Sequence, residues 1–210
     1  MSTSPPKSTF DTPHSRNWLR ALWEKCKFPE CSPSSAREDA VTNPAVLRWM
    51  ENKTIALRVF DFNRDADAVC AFQQETYALN FSDFQYTDHF ARAFRHDLRR
   101  ASLDENNGLF VLEERPSSDS TQRVAGFLWL IVYLNHWTGE KYGYVNNVSV
   151  DARLRGRGLG HELMGEVDHF FRSRGVHTVR LSVTVTNEAA THLYLSNGYK
   201  TTRWEMEKHL

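Results

Sequence analysis

The chain has 210 residues, of which 40% are hydrophobic and 12% aromatic. This is enough apolar material for one domain of about 150 residues plus an appendage, which excludes a disordered, collagen-like or disulfide-stapled chain. Lys+Arg and Asp+Glu both number 26, so the formal charge is zero. That argues against a chain-wide grip on nucleic acid or an anionic membrane, but leaves a local basic site open.

Residues 1–52 read as an N-terminal extension. Ser4-Pro5-Pro6, Ser32-Pro33-Ser34-Ser35 and Asn43-Pro44 have linker composition. Between them, Ser15 is placed to cap a helix whose Trp18, Leu19, Leu22, Trp23 and Cys26 share one face. Docking on the main domain is the expected use of that face; a partner surface, a membrane surface and a transit peptide are the alternatives. The polar Met1–Phe10 stretch is not expected to be a secretory signal, and no run of 18 apolar residues predicts a membrane span. Cys26 and Cys31 are spaced C-x4-C with no second ligand pair, and Cys70 stands apart. Reduced thiols in a cytoplasmic protein, and no metal, are expected.

The main domain is expected over 53–210. Alternation predicts a strand over Ile55–Phe60, and helices follow over Asp65–Phe81, with Val69, Phe72 and Leu79 apolar, and Thr87–Ala101. Asn106-Asn107-Gly108 reads as a turn before a strand over Leu109–Glu113. A polar hairpin loop, Pro116–Thr121, leads to a strand over Val124–Leu134, apolar throughout and so expected to be central. The loop Asn135–Lys141 and a strand over Tyr142–Val150 come next. A helix over Gly158–Arg174 is closed by Gly175. Alternation of Val179, Leu181, Val183 and Val185 predicts a strand over Val176–Val185. A short helix over Glu188–Ser196 and a last strand over Tyr199–His209 complete the order β-α-α-β-β-β-α-β-α-β, an α/β (α+β) domain.

The most informative stretch is Val148-Ser149-Val150-Asp151-Ala152-Arg153-Leu154-Arg155-Gly156-Arg157-Gly158-Leu159-Gly160-His161. A strand ends, a turn follows, and a helix begins inside the glycines. A helix N-terminus offers unpaired N–H groups and a positive dipole end, which suits phosphate. Gly156, Gly158 and Gly160 let backbone approach an anion, and Arg153, Arg155 and Arg157 add charge. The spacing G-x-G-x-G is not the dinucleotide pattern G-x-G-x-x-G, and no Gly-Lys-Ser/Thr follows as a P-loop requires.

Arg155-x-x-Gly158-x-Gly160 resembles the R/Q-x-x-G-x-G/A motif of the GNAT superfamily of N-acetyltransferases. Downstream, Asn187-Glu188-Ala189-Ala190-Thr191-His192-Leu193-Tyr194-Leu195-Ser196-Asn197-Gly198-Tyr199 resembles that superfamily's N-x-x-A-x-x-L-Y-x-x-x-G-F/Y. The resemblance spans about residues 53–210 and implies a central mixed, mostly antiparallel sheet flanked by helices. It also implies that acetyl-CoA is the cosubstrate, without metal. The turn of Arg155, Gly156, Arg157, Gly158, Leu159, Gly160 and His161 would hold the pyrophosphate. The backbone of Val148, Ser149 and Val150 would pair with the pantetheine arm and polarise the acetyl carbonyl. Asn187 would contact that arm besides capping its helix, and Tyr194 would be the general acid.

Direct transfer to a primary amine follows, since no cysteine lies in a motif. The protein N-terminal acetyltransferases of the superfamily carry Glu or His where this chain has Ser182. A small-molecule amine is therefore the expected acceptor, ahead of a protein N-terminus or lysine. A non-enzymatic acyl-CoA-binding module and a nucleotide-binding turn are the competing classes. Candidate bases are His136, Glu140, Tyr144, Asn146, Asp83 and His89. Arg92, Arg95, Arg99 and Arg100 are expected to form a solvated face. Phe81, Phe84, Tyr86, Phe90 and Trp137 could line an acceptor pocket or serve as core. Oligomeric state is left open, a homodimer included.

Overall fold

A computed structural model describes residues 48–49, 54–81, 84–114 and 123–208. The amphipathic segment at Ser15–Cys26, the Cys26/Cys31 pair, Asp83 and the Pro116–Thr121 loop lie outside the described residues.

Six strands form one sheet: β1 (Arg48–Trp49), β2 (Ile55–Val59), β3 (Asn107–Glu114), β4 (Arg123–Leu134), β5 (Lys141–Val150) and β6 (Val179–Arg180). They lie side by side in chain order, antiparallel except for the parallel β5–β6 pair. β1 pairs Arg48 with Leu57 and Trp49 with Ala56, so the sheet takes in residues that the sequence assigns to the extension. The apolar β4 is interior to the sheet and contributes to cores on both faces, because alternate residues of a strand point to opposite faces.

Helices α1 (Phe62–Asn80) and α2 (Asp88–Ala101) cover one face. Phe60, Val69, Phe94, Leu98, Val111, Phe127 and Trp129 form the core beneath them. Helix α3 (Leu159–Arg172) covers the other face through Leu159, Leu163, Val167, Phe170 and Phe171, while Leu193 and Tyr194 of α4 (Glu188–Ser196) pack against the same core.

Helix α1 begins earlier than its apolar pattern predicts. Asp61 is its N-cap, accepting from the N–H groups of Asn63 and Arg64. Asp65, the expected start, is instead fully buried and takes a two-pronged hydrogen bond from Arg58, both at 2.7 Å. Arg58 also donates to the buried Glu113 at 2.5 Å, tying β2, α1 and β3 together. Thr87 caps α2 through Phe90 N–H. Gly175, at φ +70°, ends α3: its N–H bonds Arg172 O and that of Val176 bonds Phe171 O, the Schellman pattern.

Three expectations fail. Asn107 and Gly108 open β3, and the turn lies one step earlier, where Asp104 accepts from the N–H groups of Asn106 and Asn107. Gly108 is glycine for packing, since a Cβ there would stand 2.4 Å from the Phe170 ring. Val176–Val185 is not a full strand: only Val179 and Arg180 join the ladder, and Val185 is 77% exposed. Tyr199–His209 forms no strand among its described residues, and Trp204 and Met206 are exposed on it. Both failures share a cause. Alternation predicts a strand only where a neighbour supplies backbone partners, and the parallel ladder on β5 stops at Tyr144.

Candidate active site

The site is built where β5 and β6 part. Their register covers Gly143↔Val179 and Tyr144↔Arg180, while β5 runs on to Val150. From Val145 to Val150 the β6-facing edge of β5 therefore has no strand partner among the described residues. On its other side β5 remains paired to β4, with Val148↔Leu128, Ser149↔Phe127 and Val150↔Gly126. The register there skips Asn146, since Trp129 pairs with Asn147 and Leu130 with Val145. This is a bulge, which bends a strand and re-aims its side chains. Val145 and Val148 both reach the α3-side core, and Asn147 turns the other way to donate to Gln73 of α1 at 2.6 Å. Asn147 is buried, and its Oδ1 has no partner among the described residues. The signal in the sequence was the Asn146-Asn147 pair interrupting an alternating valine pattern.

Beyond Val150, a short 3-10 turn (Ala152–Leu154) leads into the glycines. Gly156 and Gly158 take φ of +75° and +83°, and a Cβ on either would meet nothing within 4 Å. Backbone conformation, not crowding, requires them to be glycine, and open space stands over the turn. Gly160 differs: a Cβ there would sit 3.1 Å from the Leu193 methyls, so it sets the approach of α3 to α4. The Leu159 side chain is buried in the core, leaving only its backbone toward the turn. The N–H of His161 bonds Gly158 O, and its Nδ1 lies 3.0 Å from Asn197 Nδ2. Among the described residues, the N–H groups of Arg157 through Gly160 have no backbone acceptor.

The three arginines are not equivalent. Arg153 is turned onto Asp151, at 3.2 Å, and Glu114, at 3.4 Å. Burial pushes the Asp151 carboxyl up, but hydrogen bonds from Arg153 and the charges of Arg123 and Arg153 hold it below the usual carboxylate range. Arg155 donates to Val150 O at 2.9 Å and pairs with Glu75 of α1 at 2.9 Å. Arg157 is exposed and has no carboxylate partner among the described residues.

Asn187 caps α4 through Ala190 N–H at 3.1 Å, and its Nδ2 donates to Asn80 of α1 at 3.2 Å. Tyr194, on α4, packs against the α3-side core with its ring 5.8 Å from that of Tyr199. Burial first, and the nearby Tyr144 second, push its phenol up to about 12. It is therefore a protonated donor at neutral pH. Tyr144 donates to Ser182 at 3.1 Å, bridging the two diverging strands.

Among the other candidates, His136, Glu140 and His89 are exposed. Tyr77, Phe84 and Phe90 pack ring to ring at 4.8–5.0 Å, with Phe81 and Tyr86 at the edges of the cluster, whereas Trp137 is 97% exposed and joins none of it. Arg95 pairs with Asp67, and Arg95 and Arg99 lie over the Phe62 ring; both fit a solvated face. Among the described residues no group of three or more His, Cys, Asp or Glu side chains could hold a metal, and no helix is long and apolar enough to cross a membrane.

Comparison with known proteins agrees with this geometry. The Acetyltransferase (GNAT) family profile matches residues 67–199. The mycothiol acetyltransferase of Thermobifida fusca (strain YX) is 30% identical over 195 residues, covering 90% of this chain and 56% of that protein. The mycothiol acetyltransferase of Amycolatopsis mediterranei (strain U-32) is 33% identical over 148 residues, covering 69% and 46%. The chain thus spans about half the length of these curated relatives. An aminoglycoside acetyltransferase from an uncultured soil metagenomic sample, solved in complex with sisomicin, shares the fold at a TM-score of 0.56 and 13% identity, covering 76% of this chain and 97% of that one. A predicted acetyltransferase from Clostridium acetobutylicum, solved with acetyl-CoA, superposes at a TM-score of 0.59 and 12% identity, covering 74% and 96%. The diverging strands, the glycine turn and the family match lead to one conclusion: this chain belongs to the acetyltransferase (GNAT) family.

Proposed function

We propose that the chain moves an acetyl group from acetyl-CoA to a primary amine of a small molecule by direct attack. The observation that carries this reading is the position of Tyr194, partly buried on α4, the helix that packs against the glycine turn through Leu193 and Gly160. The turn's donor set suits a pyrophosphate: successive N–H groups at a helix start, two positive-φ glycines with open space above them, and the cation of Arg157. The backbone edge from Val145 to Val150, without a strand partner on the β6 side among the described residues, suits an extended arm carrying amides. Acetyl-CoA supplies the activated thioester.

The acceptor nitrogen forms a C–N bond with the thioester carbonyl as the C–S bond breaks. Tyr194 Oη gives its proton to the departing sulfur, whose thiol has an ordinary pKa of about 8.5, and the proton that the nitrogen loses on becoming an amide restores the phenol by way of solvent. Backbone N–H groups of Val148, Ser149 and Val150 would polarise the carbonyl oxygen as it gains charge. The acceptor must first shed a proton, since a free alkyl amine has a pKa of about 10.4. The mycothiol acetyltransferases and the aminoglycoside acetyltransferase support a small-molecule amine. The reading places the reaction in the cytoplasm, where acetyl-CoA is available.

Calorimetric titration with acetyl-CoA, CoA and ATP tests the cosubstrate, and an amine panel read by thiol release tests transfer. Micromolar binding of CoA but not ATP, followed by thiol release with one amine class, is expected. Preference for ATP would move the turn to the nucleotide-binding class. CoA binding without release by any amine, peptide N-terminus or lysine peptide would leave a binding module.

A further inference from the structure

One helix, α1, supplies the acceptor atom for three donors around the site. Glu75 accepts from Arg155 at 2.9 Å, Asn80 accepts from Asn187 at 3.2 Å, and Gln73 accepts from Asn147 at 2.6 Å. Phosphate oxygens and amide carbonyls are acceptors too. A ligand lying along the turn and the β5 edge must therefore share these donors with α1 or take them from it. Glu75 is the charged member of the three, and its carboxylate lies beside the place where a phosphate would approach Arg155. We infer that Glu75 sets the affinity for the phosphate-bearing cosubstrate by competing with its pyrophosphate for the Arg155 guanidinium. The inference rests on the turn being a pyrophosphate site, as proposed above.

Three features make the competition effective yet modest. Arg155 is held close to the turn by its second bond, to Val150 O, so Glu75 cannot draw it far away. The pair is roughly half exposed on both sides, 47% and 44%, so water and salt screen it. Glu75 alone of the three α1 acceptors is charged, so it competes with a phosphate as one anion with another.

The test is a double-mutant cycle on CoA affinity, measured by calorimetry in the full chain. Glu75→Gln keeps the size and a hydrogen-bonding carbonyl and removes the charge; it should tighten CoA about threefold at low salt, with the gain vanishing at about 0.5 M NaCl. In the Arg155→Gln background, Glu75→Gln should change the affinity by less than about 1.5-fold. Equal tightening in both backgrounds would mean general charge repulsion and overturn the competition. Unchanged or weaker binding of Glu75→Gln, with wild type binding CoA normally, would overturn it while leaving the proposed function intact. No CoA binding by wild type would overturn both.

Discussion

Tyr194 is a single phenol whose surroundings set two separate properties. Burial makes it hold its proton more tightly than a free phenol, which is already protonated at neutral pH, so its fitness as the acid rests on its place on α4 and not on the shift. Tyr194→Phe should lower turnover about 100-fold while leaving CoA affinity within about twofold; steady-state rates and calorimetry together check this. The same burial has a cost at high pH. The unfolded phenol titrates near 10 and the folded one at about 12, so the folded state binds the proton more tightly. Stability is therefore whole below about pH 10 and is lost as pH rises toward 12. Denaturant midpoints at about pH 8 and about pH 11.5 should show a smaller drop for Tyr194→Phe than for wild type. Arg58 is the other residue that stands out alone. It is buried with Asp65 and Glu113, and Arg58→Met would take from the fully buried Asp65 its two-pronged partner, while Glu113 keeps Arg64. A loss of about 3–5 kcal/mol in urea denaturation is expected. Replacing all three with apolar residues should cost far less, because no charge is then left unpaired.

At the level of elements, the three glycines of the turn separate by mechanism. Gly158→Ala forces a Cβ into the left-handed region and should cost about 1–2 kcal/mol. Gly160→Ala has ordinary backbone but pushes on Leu193, 3.1 Å away, and should cost about 1–2 kcal/mol by prising α4 from α3. Leu193→Val in the Gly160→Ala background should recover part of that loss, and should do nothing for Gly158→Ala; thermal or denaturant midpoints distinguish the two. Because α4 carries Tyr194, Gly160→Ala should also lower turnover, and the Leu193 change should restore some of it. The element boundaries teach a related point. The N-cap Asn187 and the C-terminal Gly175 were legible because each acts on its own helix end. The strands past Arg180 were misread because pairing is a property of two segments, and alternation describes only one.

For the whole molecule, zero net charge means that any salt dependence of cosubstrate binding must be local. Raising NaCl from about 0.05 to about 0.5 M should weaken CoA binding several-fold, and Arg157→Gln should remove part of that dependence, Arg155 carrying the rest. Arg153→Gln should not, because Arg153 is committed to Asp151 and Glu114. Composition and pattern alone determined the order of strands and helices up to β5, the apolar β4 and the glycine turn, since propensity, capping and apolar period are local quantities, while the mixed, mostly antiparallel sheet flanked by helices was implied by the resemblance of the two motifs. The Asn187 and Tyr194 positions were likewise legible, as parts of a motif. Tertiary structure alone decided the parting of β5 and β6, which arginine of the turn has no carboxylate partner among the described residues, and the contacts of α1 with Arg155, Asn147 and Asn187. Each of these depends on residues distant in sequence, such as Glu75 and Arg155, meeting once both faces of the sheet are covered. No periodicity or spacing encodes such a meeting.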